Sequence, residues 1–398
     1  MLAVATSDGA VDGCGRFAQL TFVGLLGVRD PLRGEAAQSI AALQQAGVQV
    51  VMVTGDGAET AGAIAREAGL LGRDGLQLTS ADLAGMNDTV LAGLLPRLRV
   101  VSRALPGDKS RLVRIAQGLG RVVGMTGDGV NDAPALKRAD VGFAMGSGTE
   151  VAKEAGDVVI LDDNLRSVTR AVLYGRTIFR SIRKFIVFQL TVNMCALGVS
   201  IIAPLIGFDS PVTVLQMLWV NMVMDTLAGL AFAGEPPLEA YMQVAPVQRE
   251  APLIDREMRG QIAVMATCTA VLCLWFLLSP WVREFFRPYE GERTLLTAFF
   301  ALFMYAGIFN SFSARTNAFQ LFDHILGNKA FMVVMGCVFV VQTLLVYVGG
   351  GLFRTYGLRL SEWLLCVELA ALVIPVDLIR KAVVGRRGRG GVLERAEL

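Results

Sequence analysis

Charge is scarce in this chain. Asp, Glu, Lys and Arg make up 18% of its 398 residues, and 37 basic side chains stand against 35 acidic ones, a net charge of +2. No basic excess advertises a nucleic-acid partner, and a chain that is 54% hydrophobic is not a disordered one. Paired cysteines are lacking as well. Cys14, Cys195, Cys268, Cys273, Cys337 and Cys366 stand mostly in apolar stretches without a CxxC spacing, which excludes a disulfide scaffold and a zinc or redox motif and leaves reduced packing residues. The opening MLAVATSDGAVDGCG has no basic n-region and no long apolar run, so no signal peptide is expected and the soluble part is expected to stay in the cytoplasm.

Two physical regimes share the sequence. Residues 1–163 carry mixed charge at globular spacing, whereas from Phe185 onward uncharged stretches recur at 185–208, 212–234 broken by Asp225, 260–282, 294–314, 330–353, and 363–376 broken by Glu368. A bilayer core asks for about 20 apolar residues in a helix. Segments such as AVMATCTAVLCLWFLLS show no polar face at helical period, so six membrane spans are expected, the last the shortest. The connectors on the side of the soluble half and of the tail RKAVVGRRGRG hold 17 Lys and Arg, those on the other side 5. That asymmetry predicts a cytoplasmic soluble domain and a cytoplasmic C-terminal tail. The tail anchors topology or meets anionic lipid.

Polar groups inside a membrane are costly, so each is a functional candidate. Asn221 and Asp225 in LWVNMVMDTLAG are spaced to share a helix face, as are Gln189 and Asn193 in FQLTVNMC. Converging carboxylate and amide oxygens suit a hard cation such as Ca²⁺, while amides also serve as interhelical glue. For Gln189 the second role is expected. For Asp225, which has no basic partner in the spans, the first is.

In the soluble half, apolar runs at 20–27, 48–53, 98–102, 121–125, 141–145 and 157–161 alternate with helical patterns, the signature of an α/β fold with a parallel sheet. Ligands in such folds sit beyond the carboxyl ends of the strands. There the sequence places Thr54-Gly55-Asp56-Gly57, a turn into a helix N-terminus that favours an anion. Lys109, in PGDKS, opens a helix and can neutralise a phosphoryl oxygen. Thr126-Gly127-Asp128-Gly129-Val130-Asn131-Asp132 sets two carboxylates within one turn, as Mg²⁺ requires.

MVTGD, DKS and GMTGDGVNDAPALKRADVGFAMGSGTEVAKEAGDVVILDDN resemble the phosphorylation domain of P-type cation-transporting ATPases, members of the haloacid-dehalogenase-like superfamily with a Rossmann-type parallel sheet. SIRKFIVFQLTVN and SPVTVLQMLWVNMVMDTLAGLAFAGEPP look like the fifth and sixth membrane helices of calcium pumps, nearest the plasma-membrane subtype. The resemblance is strong from about Leu20 to Pro237 and mainly topological beyond. It implies a partial phosphorylation domain at 1–163, whose first 19 residues are the end of a nucleotide-binding domain, a stalk helix at 164–184, a six-helix membrane domain at 185–379 and a basic tail at 380–398.

By the same resemblance Thr54, Gly55 and Asp56 contact the phosphoryl group and the ATP, with Arg103 nearby. Lys109 stabilises the transferring phosphate, Asp128 carries Mg²⁺, and Asn131 and Asp132 complete the pocket. Asp30 and Arg33, in RDPLR, resemble the hinge toward the nucleotide domain or form an ordinary loop ion pair. Asn193, Asn221 and Asp225 fall on positions that hold the transported cation. Two departures matter: Ala196 stands where the sarcoplasmic-reticulum pumps have an acidic ligand and Met224 where they have a hydroxyl, which implies one ion per cycle.

The Asp-Lys-Thr-Gly-Thr motif that carries the phosphorylated aspartate in this family does not occur in the sequence. The chain is therefore expected to be the C-terminal portion of a pump, inactive by itself, whose partner is a chain or segment supplying the other half. A non-catalytic pump-derived membrane protein, or a pump for another cation, are the alternatives.

Overall fold

The computed structural model describes residues 2–7, 20–26, 32–208, 211–286, 292–316 and 327–388. They gather in two compact units, one built from Met1–Ala41, Val50–Ile115 and Met125–Arg166, the other from Ala42–Gln49, Ala116–Gly124 and Ser167–Leu398.

In chain order the α/β part runs β1 (Leu2–Thr6), β2 (Thr21–Leu26), α1 (Ala36–Gln45), β3 (Met52–Val53), α2 (Ala58–Glu67), β4 (Leu76–Thr79), α3 (Ser80–Ala84), α4 (Asp88–Leu94), β5 (Leu98–Ser102), α5 (Pro106–Gly118), β6 (Gly124–Gly127), α6 (Ala133–Arg138), β7 (Val141–Met145), α7 (Glu150–Ala155) and β8 (Val158–Ile160). The strands of the parallel fold lie in two three-stranded sheets, ordered β3-β5-β4 and β6-β7-β8. Both neighbours of β5 run parallel to it, and β8 runs parallel to β7. Leu98, Val100 and Val101 of β5 are fully buried, the pattern of a central strand covered on both faces. Against it α2 presents the small residues Ala61 and Ala65, packed with Ile40, Ala68 and Leu70.

Two expectations differ in detail. The run at 20–27 is a strand, but β2 pairs antiparallel with β1, outside the parallel sheets, and Phe22, Val23, Leu25 and Leu26 stay exposed. β4 is an addition to the expected strands: LQLT is short and carries a single strong strand former, and its place beside β5 is set by pairing.

The second unit is helical: α8 (Leu165–Leu205), α9 (Val214–Leu218), a π-helical turn (Trp219–Met224), α10 (Asp225–Ala233), α11 (Arg256–Leu278), α12 (Pro280–Phe285), α13 (Glu292–Arg315), α14 (Lys329–Val348), α15 (Gly350–Phe353), α16 (Leu360–Ala371) and α17 (Val373–Gly388). Among the described residues five helical segments are long and apolar enough to cross a membrane: Leu165–Leu205, Val214–Ala233, Arg256–Leu278, Glu292–Arg315 and Lys329–Val348. The sixth expected span is divided at Leu372 into α16 and α17, neither of which is long enough alone; Pro375, three residues on, cannot donate to a continuous ladder. α8 runs 41 residues without interruption across the expected boundary at 184, with Pro204 only at its end. α13 is the central element, and Phe299, Phe300, Met304 and Tyr305 on it are all fully buried.

Candidate functional site

The turn after β3 is tied to β5 before any side chain acts. Thr54 donates its N–H to Val101 O at 2.9 Å, Arg103 donates to Asp56 O at 2.8 Å and Ala104 to Thr54 O at 2.9 Å. These bonds hold Arg103 at φ 52°, a left-handed conformation that an unbranched chain adopts only at a cost. Within the turn Thr54 Oγ1 donates to Asp56 Oδ2 at 2.9 Å and accepts from Asp56 N at 3.2 Å. Beside it a cleft of about 490 Å³ opens at the N-terminus of α2, lined by Gly57, Glu59, Thr60, Thr79 and Arg103. Gly57 offers no side chain to cap that helix, which leaves its first N–H groups without a capping side chain at that position. Thr54, Gly55, Asp56 and Arg103 thus form one group.

Next to the lining residue Ala58 stand residues the sequence did not advertise. Gln77 of β4 donates to Ala58 O at 2.6 Å, and a Cβ on Gly62 would come within 2.6 Å of its side-chain oxygen. The glycine in α2 is there for that close approach.

A second group surrounds Asp132. This carboxylate is 6% exposed and accepts from Lys109 Nζ at 2.5 Å and from the N–H groups of Asp128 at 3.3 Å and Gly129 at 3.4 Å. Lys109 stands in the first turn of α5, whose start is fixed by Asp108 accepting from Leu105 N at 2.9 Å and from Ser80 Oγ at 2.6 Å. Asp128 and Asn131 face solvent. The Asp128 backbone is gripped by Thr149 N, which donates to its carbonyl at 2.8 Å, and a Cβ on Gly148 would come within 2.8 Å of the same oxygen.

The donor set fits Mg²⁺. The ion keeps several waters and asks for one or two carboxylates; Asp128 offers an exposed carboxylate with no hydrogen bond of its own among the described residues, while Asp132 is engaged by Lys109. Among the described residues no cluster of three or more His, Cys, Asp or Glu forms a closed protein cage for a metal. Of the two residues expected at a hinge or in a loop ion pair, Asp30 lies outside the described residues, and Arg33 donates Nη1 to Asp163 O at 2.5 Å.

In the helical unit Asp225 is 3% exposed, and neither of its oxygens has a hydrogen-bond partner among the described residues. Gln189 of α8 is the polar group beside it. The π-helical turn from Trp219 to Met224 leads directly into Asp225 and widens the helix repeat, so Asn221 lies exposed rather than on the buried face with Asp225. Asn193 is half-buried. Met224 is 2% exposed and fills the space beside Gly307, and Ala196 is 2% exposed.

The comparisons with known proteins agree with this division. Residues 7–140 match the haloacid dehalogenase-like hydrolase family, 121–172 a second model of the same description, and 209–383 the C-terminus of cation transporting ATPases. A hydrolase segment of this kind lies ahead of an ATPase membrane segment, and in both the chain is similar to P-type cation-transporting ATPases. Its relatives there are calcium pumps. It is similar to Calcium-transporting ATPase 3, plasma membrane-type, of Oryza sativa subsp. japonica, 39% identical over 360 residues, covering 89% of this chain and 35% of the relative. To Calcium-transporting ATPase PAT1 of Dictyostelium discoideum it is 38% identical over 401 residues, covering 92% and 36%. To Calcium-transporting ATPase 2 of Schizosaccharomyces pombe it is 36% identical over 374 residues, covering 92% and 29%. The chain spans about a third of the length of the curated relatives it matches.

Proposed function

We propose that this chain is the phosphate-handling and ion-binding part of an ATP-driven calcium pump. The observation that carries the reading is Asp225: a buried carboxylate with no basic partner among the described residues and only the Gln189 amide beside it, in a membrane helix opened by a π-helical turn, on a chain that also bears a phosphate-type site. An unpaired carboxylate at that depth is too costly to keep unless a cation or proton meets it.

In this reading Ca²⁺ is the cargo, held by the carboxylate of Asp225 with amide oxygens from Asn193 and Asn221, the latter brought inward when the ion is bound. Burial of Met224 and Ala196 where a second ion would need oxygens supports one ion per cycle. Thr54, Gly55, Asp56 and Arg103 orient the nucleotide and its terminal phosphoryl. Lys109, positioned by Asp132, sets a positive charge on the oxygens that gain charge in transfer. Asp128, with Asn131 beside it, would hold Mg²⁺, which supplies neutralisation of phosphoryl charge when bound. The phosphoryl acceptor is a carboxylate outside these 398 residues, supplied by a further segment or partner chain, and the intermediate is an aspartyl phosphate. The spans number six, α16 and α17 crossing together around their break, and the phosphate site and basic tail share the cytoplasmic side.

The test is vesicle uptake of Ca²⁺ by the complete pump carrying Asp225→Asn. Uptake is expected to be lost while the protein still reaches the membrane. Uptake at the unaltered rate overturns the assignment, and ATPase activity driven by another cation assigns a different cargo.

A further inference from the structure

A small cavity of about 10 Å³ lies among α8, α11 and α13, lined by Thr191, Cys195, Thr269, Phe303, Gly307 and Asn310. It has room for one water-sized guest.

Its polar atoms are complementary. Asn310 is 4% exposed, and its Nδ2 has no acceptor among the described residues. Thr191 and Thr269 are 2% and 7% exposed. Their hydroxyl protons are directed to their own helices, Thr191 Oγ1 donating to Val187 O at 2.7 Å and Thr269 Oγ1 to Met265 O at 2.8 Å. Each hydroxyl oxygen keeps lone pairs for a further donor. The cavity therefore offers one donor group and two acceptor oxygens, from three different helices.

No ionisable carboxylate or basic side chain lines it, so a bare cation would exchange its hydration for two hydroxyls and an amide without compensating charge. Water needs no such compensation. It accepts from Asn310 Nδ2 and donates to Thr191 Oγ1 and Thr269 Oγ1, the three bonds that buried waters commonly make. Around Gly307 the neighbours are apolar: a Cβ there would lie 3.5 Å from Met224 Cε of the π-helical turn and 3.7 Å from Val192 Cγ2 of α8.

We infer that this cavity is a binding site for a single structural water, which bridges α8, α11 and α13 through Thr191, Thr269 and Asn310. The water acts as a latch between helices and stands apart from the cation carboxylate, from which Met224 separates it. The inference does not depend on which ion is transported.

The experiment is a structure of the full chain in lipid nanodiscs at about 2 Å, solved in sodium chloride and again in choline chloride. A peak within hydrogen-bond distance of Asn310 Nδ2 and both hydroxyls, of equal height in the two salts, is expected, and Thr269→Val should remove it. No peak, a direct amide–hydroxyl bond, or a peak that weakens in choline chloride overturns the assignment. Thermal melting adds a second readout. Asn310→Leu and Thr269→Val together are expected to lower the midpoint by less than the sum of their separate effects, because both dismantle the same bridge. Strict additivity counts against a shared water.

Discussion

Asp128 and Asp132 share one turn and one chemistry, yet the fold puts them to different uses. Asp132 is turned inward onto Lys109 and two backbone N–H groups, which leaves Asp128 as the exposed carboxylate. Asp128→Asn is expected to leave unfolding unchanged and to weaken Mg²⁺ binding by tenfold or more, on the order of the loss seen when metal-site groups are removed; titration calorimetry on the chain measures it. Gly127 makes the inward turn possible. A Cβ there would stand 2.5 Å from Asp132 Cβ and 2.8 Å from its Cγ, whereas at Gly129 the nearest atom is 3.9 Å away. Gly127→Ala is therefore expected to destabilise by about 1–3 kcal/mol and Gly129→Ala by no more than about 0.5 kcal/mol. Denaturant unfolding of the two variants compares them, and equal losses would contradict the packing argument. The spelling TGDGVND was enough to locate this turn. The spacing alone did not divide the roles of its carboxylates, which only the family resemblance assigned; in the structure a lysine 23 residues before Asp132 distinguishes them.

Among the elements, those whose pattern is set by local chemistry were the readable ones. The long apolar runs emerged as helices because a bilayer-length uncharged segment has few other structures to adopt. The antiparallel β1–β2 pair was not readable, because strand partners are chosen over distance, and neither was the π-helical turn, because LWVNMVMD fits an ordinary helix equally well. Nor does the sequence advertise the ion cluster around Glu235, whose members are far apart along the chain. Glu235, with its side chain 7% exposed, accepts from Arg315 Nε at 2.8 Å, Asn328 Nδ2 at 3.0 Å and Lys184 Nζ at 3.2 Å, joining the ends of α13 and α14 to α8 just past α10. Burial pushes its carboxyl upward, but Lys184, Asn328 and Arg315 outweigh burial and hold it below the ordinary value of 4.5. A depressed carboxylate contributes fully above that ordinary value and loses its contribution as pH falls through the folded one. The melting midpoint is thus expected to be insensitive to Glu235 above pH 4.5 and to drop below it. Glu235→Gln should lower the midpoint at neutral pH, by an amount equivalent to about 3 kcal/mol for a broken buried pair, and flatten the acid limb. An acid limb of undiminished slope in that variant would assign the transition to other carboxylates.

At the scale of the whole molecule, what the chain contains is charge stabilisation, and what its sequence does not contain is the family's acceptor motif. In the proposed reading Lys109, the turn at Thr54 and a cation held at Asp128 would receive a phosphoryl group electrostatically, but covalent transfer also needs a carboxylate presented in line with the leaving oxygen. Three of the aspartates described at the site are already engaged. Asp132 is held by Lys109, Asp56 by Thr54, and Asp108 by Ser80 and Leu105, while Asp128 is the one available to the metal. With labelled ATP and Mg²⁺ the 398-residue chain is therefore expected to form no acid-stable acyl phosphate. Adding a separately expressed segment that bears Asp-Lys-Thr-Gly-Thr should restore labelling on that segment alone, and Lys109→Ala in this chain should then reduce it by about 10²–10³-fold, the cost of removing one electrostatic stabiliser. Label found on this chain by itself, at any aspartate, would show that the acceptor is internal, and the two-part reading of the phosphate chemistry would have to be given up.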